Sequence, residues 1–389
     1  MQNQEHIYDN EPRQPDERGR DIESREQTGQ QAYTYQAYEE GYAGLDERSI
    51  WSEGEKLRVE PKSQRSMGGL LALIALLCAV FIAGSLFGAI LSWLSWLIVV
   101  VLVVAGLGAL ATNWRVVTIP MPTRTFRIMK HARLVINNGS GRVAVRRGEE
   151  GVISVNATKR ASGFGIDAER MQINYDQRGD TVNISTRMNW SIFQFGLRSV
   201  DFEITVPASC DVQLDTGSGR VSLQETSGDI RVRTGSGRVE VQDAQGRLAI
   251  KTGSGGIRIG GVQGQILAST GSGGIETHDL RGQVSLSTGS GGITIDRSFF
   301  SGASRVTTGS GGIVFEGGFD PRGNTLIKTG SGGIVLRLSD SAAFSLDAKT
   351  GSGGVRNEFG ANEVGNGPRA QLKLRTGSGG IRIESGGIY

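Results

Sequence analysis

The stretch Thr252-Gly-Ser-Gly-Gly-Ile-Arg-Ile-Gly260 decides how this chain folds, because its first words recur through the second half of the sequence. Thr-Gly-Ser-Gly begins at Thr216, Thr234, Thr252, Thr270, Thr288, Thr308, Thr329, Thr350 and Thr376. The first steps are 18 residues long and the later ones 20, 21, 21 and 26. Self-similarity at a short period marks an array of stacked units, each touching only its neighbours.

Aligned on Thr, the units share an alternating pattern. Four and two residues before it stand Val212 and Leu214, Ile230 and Val232, Ile266 and Ala268, Val284 and Leu286, or Leu372 and Leu374. Five and seven residues after it stand Val221 and Leu223, Val239 and Val241, Ile257 and Ile259, Ile293 and Ile295, or Ile313 and Phe315. Period-two alternation of β-branched residues predicts short strands with one buried face. One coil is then strand, Gly-rich turn, strand and second turn. The expected fold is an all-β, Gly-rich β-solenoid over 216–389, with two short strands per coil and about nine to ten coils spaced about 4.8 Å apart. The turn glycines are expected to supply positive φ. The late, longer steps place extra residues in second turns, such as Phe299–Ser304 and Asn357–Arg369.

Residues 113–215 read as a β-rich lead-in that caps the solenoid, since an open end would present unpaired strand edges. Strand-like runs are Phe126–Ile128, Arg133–Ile136, Val152–Val155, Met171–Tyr175, Val182–Ser185 and Phe202–Val206. Asn138-Gly-Ser-Gly-Arg-Val143 looks like a degenerate first coil. At the other end, Ser385-Gly-Gly-Ile-Tyr389 offers no cap.

The first third of the chain is different in kind. Residues 1–66 carry 15 acids and 9 bases without apolar periodicity, the composition of a disordered polar tail. Its one patch is Tyr33, Tyr35, Tyr38 and Tyr42. Residues 68–112 contain no charge and predict two transmembrane helices, about 68–89 and 93–112, turning near Ser92–Ser95 beside Trp93 and Trp96. Gly84 and Gly88 have the spacing of a helix-packing pair. Arg48, Lys56, Arg58, Lys62 and Arg65 precede the block, and Arg115, Arg124, Arg127, Lys130 and Arg133 follow it. The positive-inside rule then makes this a multi-pass cell-membrane protein with both ends, and the solenoid, in the cytoplasm. A solenoid outside the cell is the alternative.

Enzymatic chemistry finds no footing. His6, His131 and His278 show no metal-ligand spacing, and Glu240, Glu276, Asp296 and Glu316 are scattered among arginines. Phosphate-binding loops and GGxGxD calcium repeats are absent. No catalytic, cofactor-binding or metal site is expected, and no cofactor. Cys78 and Cys210 lie in dissimilar segments and predict no disulfide. The net charge of +3 is not the concentrated basic field of a nucleic-acid binder.

Two columns remain. Thr ladders can bind ice when exposed, but Thr shares the inward parity of the apolar residues before it, so its hydroxyl is expected among turn amides. The outward position before each Thr reads Asp215, Arg233, Lys251, Ser269, Ser287, Thr307, Lys328, Lys349 and Arg375, with Arg231, Arg305 and Lys373 two positions earlier. Stacked like charges repel one another, so Arg233, Lys251, Lys328, Lys349 and Arg375 mark a face for an anionic partner. Candidates are a lipid headgroup, an acidic polymer or an acidic protein surface.

Asn138-Gly-Ser-Gly-Arg-Val143, Asp201-Phe-Glu-Ile-Thr-Val-Pro207 and the Thr-Gly-Ser-Gly-Gly-Ile copies, over about 125–389, resemble the bacterial adhesin-like toastrack family, a β-strand-repeat domain of unknown function. The resemblance implies a β-solenoid, often joined to membrane segments, with roles in adhesion or envelope stress and no catalytic residues. The expected function is a non-enzymatic, membrane-anchored interaction scaffold, with a cell-surface adhesin as the alternative.

Overall fold

The structure, a computed structural model, describes residues 74–76, 96–105, 108, 115–164, 171–188 and 195–386. The polar tail 1–66 and its tyrosine patch lie outside them.

Each repeat folds into one long strand ending at its Thr and one short strand after the Gly-rich turn. In the Thr252 coil these are Gln245–Thr252 and Ile257–Gly260, and in the next coil Gln263–Thr270 and Ile275–His278. Both strands pair in parallel with the same strands of the following coil. Leu248 meets Ile266, Thr252 meets Thr270 and Ile257 meets Ile275. The 18-residue step therefore stacks like on like, and a β-solenoid results. Leu248, Ile250, Ile257 and Ile259 are all buried between the two walls of the coil. Each such side chain contributes about 1.5–3 kcal/mol of burial. The first lengthened step holds its extra residues between Phe300 and Arg305, since Gly282 still pairs with Phe300 but Ser285 pairs with Arg305. Phe300 reaches the core, edge-on to Phe315 at 5.1 Å.

The turn glycines have a cause other than positive φ in the middle of the stack. A Cβ built on Gly255 would lie 1.7 Å from the carbonyl oxygen of Gly237, one rung below. Its φ is not among the left-handed ones. Successive Gly-rich turns approach too closely for any side chain. Second-turn glycines such as Gly246, at φ 112°, do meet the conformational expectation.

The lead-in contains β1 (Arg115–Pro120), β2 (Arg124–Arg127), β3 (Ala132–Ser140), β4 (Val143–Arg147), β5 (Val152–Phe164), β6 (Met171–Arg178), β7 (Thr181–Met188) and β8 (Phe195–Val206). β3 and β4 form the Asn138 coil, and β7 and β8 form a further coil that the repeat does not announce. That coil is the outermost one. β3 pairs with β7 on one side and with the Thr216 coil on the other, and β4 lies likewise between β8 and Val221–Gln224. Antiparallel strands then close this end: β6 covers β7, β5 covers β8, and β1 and β2 pair with β5.

The C-terminal end repeats the device. The Thr376 coil pairs with the Thr329 coil on one side and with the Thr350 coil on the other. The last coil in sequence is thus penultimate in space. Packing explains the choice. The inserted coil brings Leu374, Ile381 and Ile383 to core positions, where the outer coil has Ala348, Val355 and Asn357. The larger apolar set occupies the rung covered on both sides.

The predicted two-helix membrane hairpin over 68–112 is not supported. Among the described residues, no helix is long and apolar enough to cross a membrane. The longest described helical run, 96–105, extends about 15 Å, half of a bilayer core. The remainder of 68–112, including the GxxxG spacing, lies outside the described residues.

Candidate interaction faces

Parity along the long strand sends Thr inward, and Thr216, Thr234, Thr252, Thr270, Thr288, Thr308, Thr329 and Thr376 are all buried. The hydroxyls of Thr252, Thr270, Thr288 and Thr308 each work twice. Thr270 Oγ1 accepts from the amide of Gly273 at 3.2 Å and donates to the carbonyl of Gly255 at 2.8 Å. Thr288 and Thr308 do the same with Gly291 and Gly273, and with Gly311 and Gly291. The result is a hydrogen-bonded ladder threading the turns. In the Asn138 coil Asn138 takes the Thr position, opposite Thr216, and donates to the carbonyl of Val200 at 2.9 Å. Being buried, the Thr column presents nothing to ice, and that reading falls.

The outer face of the short strands neutralises itself rung by rung. Arg258 Nε lies 3.0 Å from Glu276, Arg297 bonds both Asp279 and Asp296, and Arg337 reaches Glu384 and Glu316. The Arg297 guanidinium, with His278 at 2.9 Å, holds the Asp279 carboxyl below the usual carboxylate range. These carboxylates are structural partners of arginine. They form no pair suited to acid–base chemistry.

The outer face of the long strands is different. Register places Asp215, Arg233 and Lys251 on consecutive rungs, then Ser269, Ser287 and Thr307, then Lys328, Arg375 and Lys349. The structure brings the sequence-selected cations together as two clusters separated by three hydroxyl-bearing rungs. Lys251, Lys328 and Lys349 are exposed, whereas Arg233 and Arg375 are half-buried. Sequence reading misses the role of Asp347. Its carboxylate is hydrogen-bonded by Arg375, which holds its pKa below the usual range, with Lys349 and Lys373 adding to the effect. Arg375 also donates to the carbonyls of Asp347 and Leu374. It is a tethered, half-buried cation, whereas Lys251, Lys328 and Lys349 are exposed. No signal in the repeat distinguishes the two, because both occupy the same outward position.

Among the described residues, no cluster of His, Cys, Asp or Glu could hold a metal ion. His131 pairs with Asp211 at 3.0 Å, far along the chain from His278. Cys210 is buried, and that burial pushes its thiol up to about 12. Such a thiol is inert.

Comparison with solved structures finds likeness to a candidate lipid-binding protein from Parabacteroides distasonis, at 15% identity and TM-score 0.41, covering 68% of this chain and 96% of that one. A candidate adhesin from Bacteroides fragilis matches at 13% identity and TM-score 0.32, covering 69% and 97%. A candidate cell-adhesion protein from Clostridium sporogenes matches at 12% identity and TM-score 0.19, covering 69% and 100%. Comparison with curated proteins finds no match. The Toastrack DUF4097 family profile matches residues 131–384, which spans the coils from the Asn138 coil to the end of the stack, and the chain belongs to that family.

Proposed function

We propose that this Toastrack solenoid is a non-enzymatic interaction scaffold whose long-strand face takes an anionic partner. One observation carries the reading: the two faces treat charge differently. On the short-strand face Arg258, Arg297 and Arg337 each meet a carboxylate of a neighbouring rung. On the long-strand face Lys328, Arg375 and Lys349 follow one another on consecutive rungs, and Asp347 accepts from Arg375. Neighbouring like charges across strands are destabilising by tenths of a kcal/mol each, a cost that an anionic partner removes. A rigid array of cations at rung spacing suits acidic polymers or headgroups. A place at the cell envelope extends this reading and rests on the family resemblance alone.

The test is retention of the full chain on polyglutamate and on phosphatidylglycerol vesicles, against its Lys251→Ala, Lys328→Ala, Lys349→Ala triple variant. Binding that weakens at least tenfold in the variant, and with rising salt, supports the face. Equal retention of the two proteins sinks it. If the solenoid is displayed outside the cell, the same face is that of an adhesin. Protease shaving of intact cells with a C-terminal tag separates the two settings, because only a displayed tag is lost.

A further inference from the structure

We infer that the outer edge of the Thr350 coil is a docking site for an extended strand of a partner protein, one alternating apolar with acidic residues. The two ends of the stack are finished differently. At the N-terminal end the outermost coil is covered by antiparallel β5 and β6. At the C-terminal end, cover stops early. Glu363–Val364 pairs with Phe344 and Ser345, the amide of Leu346 donates to Asn362, and Phe359 lies edge-on to Phe344 at 5.2 Å. Beyond Leu346, the strand through Ser352 pairs with its inner neighbour, and Val355–Asn357 does likewise. Among the described residues no strand pairs with their outer side. A row of unsatisfied backbone donors and acceptors is a template for an added strand.

The side chains say which strand fits. Val355 is 45% exposed, whereas Ile381, in the same core position one rung in, is 1% exposed. Ala348 and Thr350 are likewise only partly buried where Leu374 and Thr376 are buried. An apolar partner residue facing inward would cover Ala348 and Val355. Lys349 points outward between them, with Arg375 one rung behind. An acidic residue opposite Lys349 therefore completes the outer face. Lys349 also disfavours a second copy at this edge, since edge lysines oppose like-charged pairing. The opposite end presents antiparallel β6 rather than a coil of the parallel stack, so head-to-tail stacking would not continue the coil register.

The experiment uses the full chain and a labelled, end-blocked hexapeptide alternating valine and glutamate, read by fluorescence anisotropy and hydrogen exchange. The expected result is binding with slowed exchange at 347–352, weakened about fivefold to tenfold by Lys349→Glu, and absent for a valine–lysine hexapeptide. Lys251→Glu should leave peptide binding unchanged while reducing retention on polyglutamate. The edge and the polyanion face therefore fail separately. The inference is overturned if the peptide does not bind, if Lys349→Glu binds it equally, or if protection appears elsewhere. It is also overturned if sedimentation shows a dimer in which 347–352 is protected without peptide.

Discussion

Thr350 Oγ1 donates a hydrogen bond to the carbonyl oxygen of Gly379 at 2.9 Å, although Gly379 lies in the coil that follows it in sequence. Thr376 in turn donates to Gly332 at 2.8 Å. Elsewhere the ladder runs backwards to the preceding coil, as Thr270 does to Gly255. The two bonds record the insertion of the Thr376 coil between its predecessors. An outermost coil holds one neighbour and frays more easily. Placed second, it must break two interfaces to leave.

Disulfide trapping tests that order. With Cys78 and Cys210 replaced by Ser, a Lys328→Cys, Arg375→Cys pair sits on neighbouring strands in register. It should oxidise readily. A Lys328→Cys, Lys349→Cys pair is two rungs apart, about 10 Å, beyond the roughly 7 Å a disulfide can span. It should stay reduced. The opposite result would place the coils in sequence order.

The Thr ladder should be worth measurable stability. Thr270→Val keeps the shape but leaves the amide of Gly273 and the carbonyl of Gly255 without that partner. Stranding buried polar groups costs about 2 kcal/mol, which in a chain this size lowers Tm by roughly 3–4 °C. Thr270→Ser should lose less. A valine variant as stable as the parent would mean that the hydroxyls add nothing to the stack.

Adjacent glycines should differ sharply. Gly255→Ala drives a Cβ to 1.7 Å from the backbone of the rung below, whereas at Gly256 the nearest atom is 3.6 Å away. We expect Gly255→Ala to lose the cooperative unfolding transition by circular dichroism and Gly256→Ala to unfold close to the parent. The chain already makes the second change, carrying Arg220 and Arg238 at the equivalent position.

Cys210 should resist alkylation in the folded protein. Its thiol is raised from 9.0 to about 12, chiefly by burial and further by Asp211. Raised above its unfolded value, it favours the folded state fully below about pH 9, and that contribution is lost as pH rises toward 12. In a Cys78→Ser background, iodoacetamide labelling should be slow throughout pH 7 to 9, climbing about tenfold per pH unit without levelling off as an ordinary thiol does near pH 9, then fast in denaturant. Rapid native labelling at pH 8 would show the site to be open.

Much of the fold was legible because period-two alternation and an 18-residue step leave few alternatives. Leu248, Ile250, Ile257 and Ile259 fall inward by parity alone, and so do the threonines. Positive φ accounts for glycines such as Gly219 and Gly246 but not for Gly255, since conformational preference is a property of one residue and the 1.7 Å approach at Gly255 is a property of two rungs. The uncharged block at 68–112 misled in the same way: hydropathy along the chain predicts a span, but no described helix is long enough to make one. The cation column was readable as a set. The tethering of Arg375 was not, because that depends on which rung carries Asp347.

The sequence by itself determined the coil: its two strands, the inward Thr, the outward cations and the step that stacks like on like. Tertiary structure alone decided the order of the coils at both ends. From Thr216 onward every coil presents nearly the same backbone and the same Thr-Gly-Ser-Gly turn, so local pattern cannot tell one neighbour from another. Burial on two faces can. It favours Leu374 and Ile383 inside and leaves Ala348 and Asn357 at the rim, because large apolar side chains gain most where a rung is covered from both sides.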